Sequence, residues 1–449
     1  MMKRLTTLAG AAVVLVLCGG VSATVLHVPG EYGTIQEGID TAVDGDTVLV
    51  ADGTYTGDGN RDIDFSGKAI VVMSENGPEL TTVDCEGDSL DPHRGFFFGT
   101  GETSASVLQG FTITNGWESG GGILCWQSSP TIFGNTFIAN ATDFRGGGIL
   151  CQNASPVIAG NVFTGNSAMA SGGRGGGIHC SSGASPAIVG NEILANTAVY
   201  GGGISSNNAS VAVLGNTMLG NTAEFEGGAI YCKGSTMSVT NCILRGDSAG
   251  IGYEISMADG SALVVRYSDL EGGAGAIYVP PGCVLHWGVG NIDEDPMFVL
   301  AEMGDYRLIW DSPCVDTGHP DSLDPDSTRS DMGAHYFDQE DYVTLYLTPM
   351  NTEVAPGGTL EVTYTAINRW SFPVTYWALS EAILPNTHTR TVMGPDRYTL
   401  WPHAWGQQLI THEVPLIAEP GLYQYRARIG VPPNTLYDID TFRLWVVEP

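Results

Sequence analysis

Two groups of acidic residues could do chemistry. Asp84, Glu86, Asp88 and Asp91 share one short stretch with His93 and Arg94, and Asp316, Asp321, Asp324, Asp326 and Asp331 share another. Several carboxylates on a flexible loop are the ligand set that Ca²⁺ takes. The second spacing is not an EF-hand, because the central glycine and terminal glutamate are missing. The competing reading is solvated loops whose aspartates serve as turn and cap residues. Five of the nine tryptophans lie after residue 340. Of these, Trp401 and Trp405 (WPHAW) read as a loop whose rings could stack on sugars. Trp377 and Trp445 sit in strand-like runs and read as core.

Nothing in the rest of the chain pairs carboxylates for glycosidic hydrolysis, which needs two of them facing across the bond. No catalytic residue is therefore assigned. Cys125, Cys151, Cys180 and Cys232 recur at equivalent places, with Ser206 in the remaining slot. Alternation with the neighbouring isoleucines points them inward as a ladder of buried thiols. Cys125–Cys151 and Cys283–Cys314 disulfides are the alternative. His179 reads as an exposed repeat residue. The spacing of cysteines and histidines suits no zinc site.

These residues are positioned by a repeat. Gly-Gly-Gly-Ile or a variant ends at Ile123, Ile149, Ile178, Ile204 and Ile230, with a degraded copy through Ile255. Asn135, Asn161, Asn191 and Asn216 follow in register, and Asn140, Asn166, Asn196 and Asn221 come five residues later. Within each unit apolar residues alternate, so a unit is two or three short strands joined by tight turns. One unit cannot bury its apolar face alone, but stacked units can. The expectation is a right-handed parallel β-helix over residues 24–340, with about ten rungs and stacked asparagines bonded from turn to turn. Residues 32–43 place Ile35, Ile39 and Val43 on one face of a capping helix. Residues 341–449 show short alternating runs broken by turns, which suits a small immunoglobulin-like β-sandwich.

The chain has 49 acids against 18 bases, a formal charge of −31. Such a surface repels phosphate backbones and anionic lipid, which argues against nucleic-acid binding. Residues 1–23 read as a signal peptide: Lys3 and Arg4, an apolar run from Leu8 to Leu17, then small residues before Thr24. That run is too short to span a bilayer, and no membrane span is expected in the mature chain. The product would be exported, to the extracellular space or cell surface, with the periplasm as the other compartment.

Three resemblances follow from these motifs. TIQEGIDTAVDGDTVLVADGTY (34–55) is similar to the opening rung of secreted β-helix proteins of the pectate-lyase-like superfamily. Gly227-Gly-Ala-Ile230 with Phe137-Ile-Ala-Asn140 and Phe163-Thr-Gly-Asn166 resembles the repeats of polymorphic outer-membrane proteins, which implies adhesion. The segments 287–298 and 312–318 look like the closing segment of bacterial β-helix proteins of unassigned function. The motifs of pectinesterases and polygalacturonases are absent. These resemblances imply a non-enzymatic scaffold for adhesion or for binding polysaccharide or a surface glycan. The alternatives are a calcium-dependent polysaccharide lyase, or related carbohydrate-active enzyme, and a purely structural envelope protein.

Overall fold

A computed structural model describes residues 23–448; the signal-peptide reading falls almost wholly outside them. The repeat coils as a right-handed parallel β-helix with three long parallel sheets of 11, nine and nine strands. A helix at Ile35–Thr41, shorter than the stretch expected, covers the open first rung. Thr34 caps it in a capping box with Glu37, and it buries Ile35 and Ile39. Equivalent residues stack in register: Ile123 on Ile149, Ile149 on Ile178, Ile178 on Ile204, Ile204 on Ile230, and Ile230 on Ile255. The interior is therefore made of columns of equivalent residues, one from each rung.

Two columns carry most of the specificity. Asn135, Asn161, Asn191 and Asn216 form one, and Asn140, Asn166, Asn196 and Asn221 the other; all are buried. After the first of each column, every side-chain carbonyl accepts from the preceding asparagine, as when Asn161 N and Nδ2 donate to Asn191 Oδ1 at 2.9 and 3.0 Å. Each amide in turn donates to strand carbonyls, as Asn191 Nδ2 does to Ile158 and Val189. At the end of the second column stands an acid: Asn221 N and Nδ2 donate to Asp247 Oδ1 at 2.6 and 2.8 Å.

The cysteine column is also inward. Cys125 pairs with Cys151, Cys151 with Cys180, Cys180 with Ser206, and Ser206 with Cys232. The eight described cysteines are free thiols, and all but Cys283 are buried. Burial pushes the Cys242 thiol up to about 11, so the core thiols are unreactive as well as inaccessible. A thiol reagent applied to the native protein is expected to label Cys283 at least a hundredfold faster than Cys125, Cys151 or Cys180. Peptide mapping of a timed labelling series checks this.

Two expectations about the repeat are corrected. The middle rungs have four strands, not two or three, because a fourth, five-stranded sheet adds Ala141–Thr142, Ser167–Ala168, Thr197–Tyr200, Thr222–Glu226 and Ser248–Ile251. The chain leaves each by a turn at the first glycine of Gly-Gly-Gly-Ile, where φ lies between +66° and +69°. A Cβ at Gly146, Gly175 or Gly201 would stand 2.3–2.4 Å from the carbonyl of the isoleucine three residues on. The tight turn folds the added strand over the outer face of the isoleucine–cysteine sheet. That cover buries a column expected to face solvent: Leu150, His179, Ser205 and Tyr231 are 3%, 0%, 0% and 4% exposed. His179 is thus not an exposed repeat residue. Burial depresses its pKa to about 3, with Arg145 and Arg174 adding to the shift, so it is neutral.

From Gly288 the chain closes the last rungs and then runs back along the outside of the helix. Asn241 bonds to both His319 N and Ser330 Oγ, and Ala334 N donates to Thr217 Oγ1 at 2.9 Å. Residues 343–446 form a β-sandwich of eight strands in sheets of three and five. Its core uses tyrosines, with Tyr364, Tyr376, Tyr423 and Tyr425 buried, rather than the tryptophans expected there. Trp445 is 42% exposed, because Leu444 and Val446 take the inward positions. Trp377 is half-buried, with the Arg397 guanidinium over its ring. The sandwich lies alongside the rod, held by Arg443 Nη1 donating to Asn76 O at 2.6 Å.

Candidate functional site

Where the returning segment, the sandwich and the helix side meet, they enclose a cleft of about 600 Å³. Its walls include Glu79, Glu192, Tyr306, Arg307, His335, Arg443 and Trp445. Glu192 projects from the outer face of a β-helix strand, Glu192–Leu194, between Val162 and Thr217. Its counterparts on neighbouring rungs carry no charge. In the structure His335 Nε2 lies 2.5 Å from Glu192 Oε1, although 143 residues separate them.

His335 is placed by the residues just before it. Gly333 N donates to Asn241 O at 2.8 Å, and Gly333 has φ +98°. A Cβ there would meet Ile243 Cδ1 at 2.8 Å and Thr217 Oγ1 at 3.0 Å, so only glycine lets the segment lie this close. No repeat pattern announces this contact, which is why the sequence did not reveal it.

Tyr306 and Arg307 come from the strand Asp305–Leu308. Arg307 donates to Asp305 at 2.7 and 2.9 Å, to Asp440 at 2.9 Å and to Leu347 O at 3.1 Å, and it stacks on Tyr346. It is a structural clamp between helix and sandwich, with its charge fully partnered. Burial opposes ionisation of Asp305, but the bonds and charge of Arg307 outweigh it and hold the carboxyl below its usual range. A general acid needs the opposite shift. Burial, with Glu192 adding to it, raises the Tyr306 phenol, which stays a protonated donor at neutral pH. Arg443 lies 3.7 Å from Glu79. Trp445 joins them with an exposed ring and a backbone N–H bonded to Thr352 O. The cleft thus combines an apolar ring face with hydrogen-bonding groups of both kinds, the composition of a site for a polar, hydroxyl-rich ligand.

The acidic groups singled out in the sequence lie elsewhere. Asp84 Oδ1 accepts from Glu86 N and Asn115 Nδ2, and Glu86 Oε2 from Gly57 N. Asp88 Oδ1 accepts from Leu90 and Asp91 amides. Asp91 approaches His93, whose other nitrogen lies 2.5 Å from Asp62. In the second group both Asp331 oxygens accept backbone amides, from Asp316 and Phe337, while Asp324 accepts from Asp331 N. Asp316 accepts from Gln339 Nε2, Asp326 from Thr328 and Gln339, and Asp321 is exposed. Among the described residues no group of three or more His, Cys, Asp or Glu is placed to hold a metal ion. Most of these carboxylates are taken up by backbone and side-chain amides of their own and neighbouring loops. Trp401 is 70% exposed in a turn and Trp405 40% exposed. Trp405 lies on the strand Ala404–Glu413, not in the expected loop.

No helix among the described residues is long and apolar enough to cross a membrane. The chain matches a family model for a right handed beta helix region over residues 41–193. No curated protein matches it. Three solved structures overlap it in part. Pseudomonas fluorescens alkylpurine DNA glycosylase AlkC, bound to DNA containing an abasic site analog, is 10% identical, with TM-score 0.19, over 24% of this chain and 31% of that one. The sporulation control protein Spo0M of Bacillus subtilis is 13% identical, with TM-score 0.18, over 24% and 49%. The β-glucosidase of Listeria innocua is 16% identical, with TM-score 0.18, over 28% and 19%. The chain spans less than half the length of each.

Proposed function

We propose that this right-handed β-helix repeat protein is an exported, non-catalytic scaffold that binds a polysaccharide or surface glycan in the cleft between helix and sandwich. The observation that carries the reading is the exposed Trp445 ring beside Arg443, Tyr306 and the Glu192–His335 pair. The C–H face of a sugar stacks on an indole, while its hydroxyls need donors and acceptors around the ring edge. Trp401 and Trp405 offer a second aromatic surface on the sandwich. Trp445→Ala is expected to weaken glycan binding at least tenfold while leaving the melting temperature within a few degrees. Titration of an oligosaccharide into wild type and variant, with thermal melts of both, checks it. Unchanged affinity would remove the cleft from the account.

A second reading, a carbohydrate-active lyase, draws on the meeting of His335, Tyr306 and Arg443 in one cleft. It requires turnover with new unsaturated ends, which binding alone does not produce. A purely structural envelope protein would bind no glycan saturably.

A further inference from the structure

A separate surface of interest lies on the fourth sheet of the β-helix. Arg145 pairs with Arg174 across adjacent rungs, and Arg174 with Tyr200, as isolated parallel bridges. Like charges directly opposite one another are destabilising unless something neutralises them. Yet neither arginine has a salt bridge among the described residues of a chain holding 49 acids. Glu226 continues the column after Tyr200, two rungs beyond Arg174, with its Oε2 accepting from Ser256 Oγ at 2.9 Å. Beneath the pair lies His179, fully buried, with neither ring nitrogen hydrogen-bonded.

Exposed apolar side chains lie beside Arg145 and on the rungs beyond Arg174. Phe144 is 61% exposed, Phe225 49% and Ile251 43%. Tyr200 sits 5.7 Å from Phe225 and 5.0 Å from Tyr231, with the Arg174 guanidinium over the Tyr200 and Tyr231 rings. Successive rungs are about 4.8 Å apart, similar to the advance of one sugar unit along an extended glycan. A column with two guanidiniums at one end and the Tyr200 and Phe225 rings on the rungs beyond them matches a ligand whose carboxylates are spaced among neutral sugars. A densely charged polyanion would meet the repulsion of the whole acidic rod.

We propose that this row binds a linear glycan carrying a carboxylate among neutral sugars. The carboxylate is held by Arg145 and Arg174, and the adjoining sugars stack along Tyr200 and Phe225. The proposal rests on the reading of the chain as glycan-binding, but at a site separate from the cleft. The test uses hyaluronan oligosaccharides, which carry one carboxylate per disaccharide, and the same oligosaccharides with the carboxylates reduced to alcohols. Calorimetric titration into the full chain is expected to show salt-sensitive binding of the acidic form, at least tenfold weaker for the reduced form. Arg145→Gln/Arg174→Gln should lose roughly tenfold toward the acidic form and nothing toward the reduced one, with an unchanged or higher melting temperature. Trp445→Ala should leave this binding intact. Equal affinity for both forms, no binding of the acidic form, or an unchanged double variant would overturn the row. A loss in Trp445→Ala alone would instead assign the binding to the cleft.

Discussion

Raising the pH from about 4 to about 7 is expected to destabilise this protein by several kcal/mol. The cause is a set of carboxyls that folding removes from water. Burial raises Asp331 and Asp438 to about 7, and Asp269 and Asp324 to about 6. Asp247 and Glu254 lie against each other in the interior, and burial first, then their mutual proximity, pushes Glu254 up. Asp247 is raised mainly by burial. A carboxyl whose pKa is higher folded than unfolded keeps a proton that the unfolded chain releases. The native state is then favoured most below the unfolded pKa near 4, and the advantage is lost as pH rises toward the folded values. Asp305 and Asp326, whose pKa values are lowered, act in the opposite direction, but below about pH 4. Denaturant midpoints measured from pH 4 to pH 8 should therefore fall steadily.

Asp247 is the sharpest single instance, because its position in the column is an asparagine position. Asn221 N and Nδ2 donate to one of its oxygens, a role that an asparagine carbonyl fills equally well, and the new amide would face Glu254 as a donor. Asp247→Asn is expected to raise stability at pH 7 by about 1–3 kcal/mol and to do little at pH 4. A variant less stable than wild type at pH 7 would contradict this account of the pair.

Asn191→Ala is expected to have the largest destabilising effect of any single polar truncation considered, about 3–5 kcal/mol. Its amide donates to Ile158 O, Val189 O and Asn216 Oδ1, and its carbonyl accepts from Asn161 N and Nδ2. Truncation leaves these partners buried and unpaired, with no route for water into a fully buried column. Asn76→Ala is the control. Its exposed amide makes one bond, to Asp52 Oδ1, and its loss should cost about 0.5 kcal/mol or less. Equal effects of the two substitutions would mean that the ladder contributes nothing beyond an ordinary surface contact.

What could be read in the sequence was whatever repeats. Ile123, Cys125, Asn135 and Asn140 each recur rung after rung, so their direction and stacking follow from period and alternation alone. The contacts that build the cleft do not repeat. His335 reaches Glu192 only because residues 330–337 run back over the outside of the helix, and Arg443 reaches Asn76 only because the sandwich lies alongside rather than beyond the rod. His179 was misplaced for a related reason: alternation gives its direction from the sheet, not the strand that folds over it. Trp445 was legible and was misread. The alternation of Leu444, Trp445 and Val446 places the indole outward, but the expectation that a sandwich core needs tryptophan overrode it. Tyrosines fill that core, with Tyr364 and Tyr425 hydroxyls bonded to each other inside it.

The central claim is a cleft that binds glycan without transforming it. Its most direct test follows both binding and product in one set of samples: residues 24–449 with a panel of neutral and acidic polysaccharides, assayed for saturable binding and for new reducing or unsaturated ends. The account predicts saturable binding of at least one glycan, lost in Trp445→Ala, with no product accumulating. Sustained turnover that depends on His335 or Tyr306 would contradict it and make the cleft an active site.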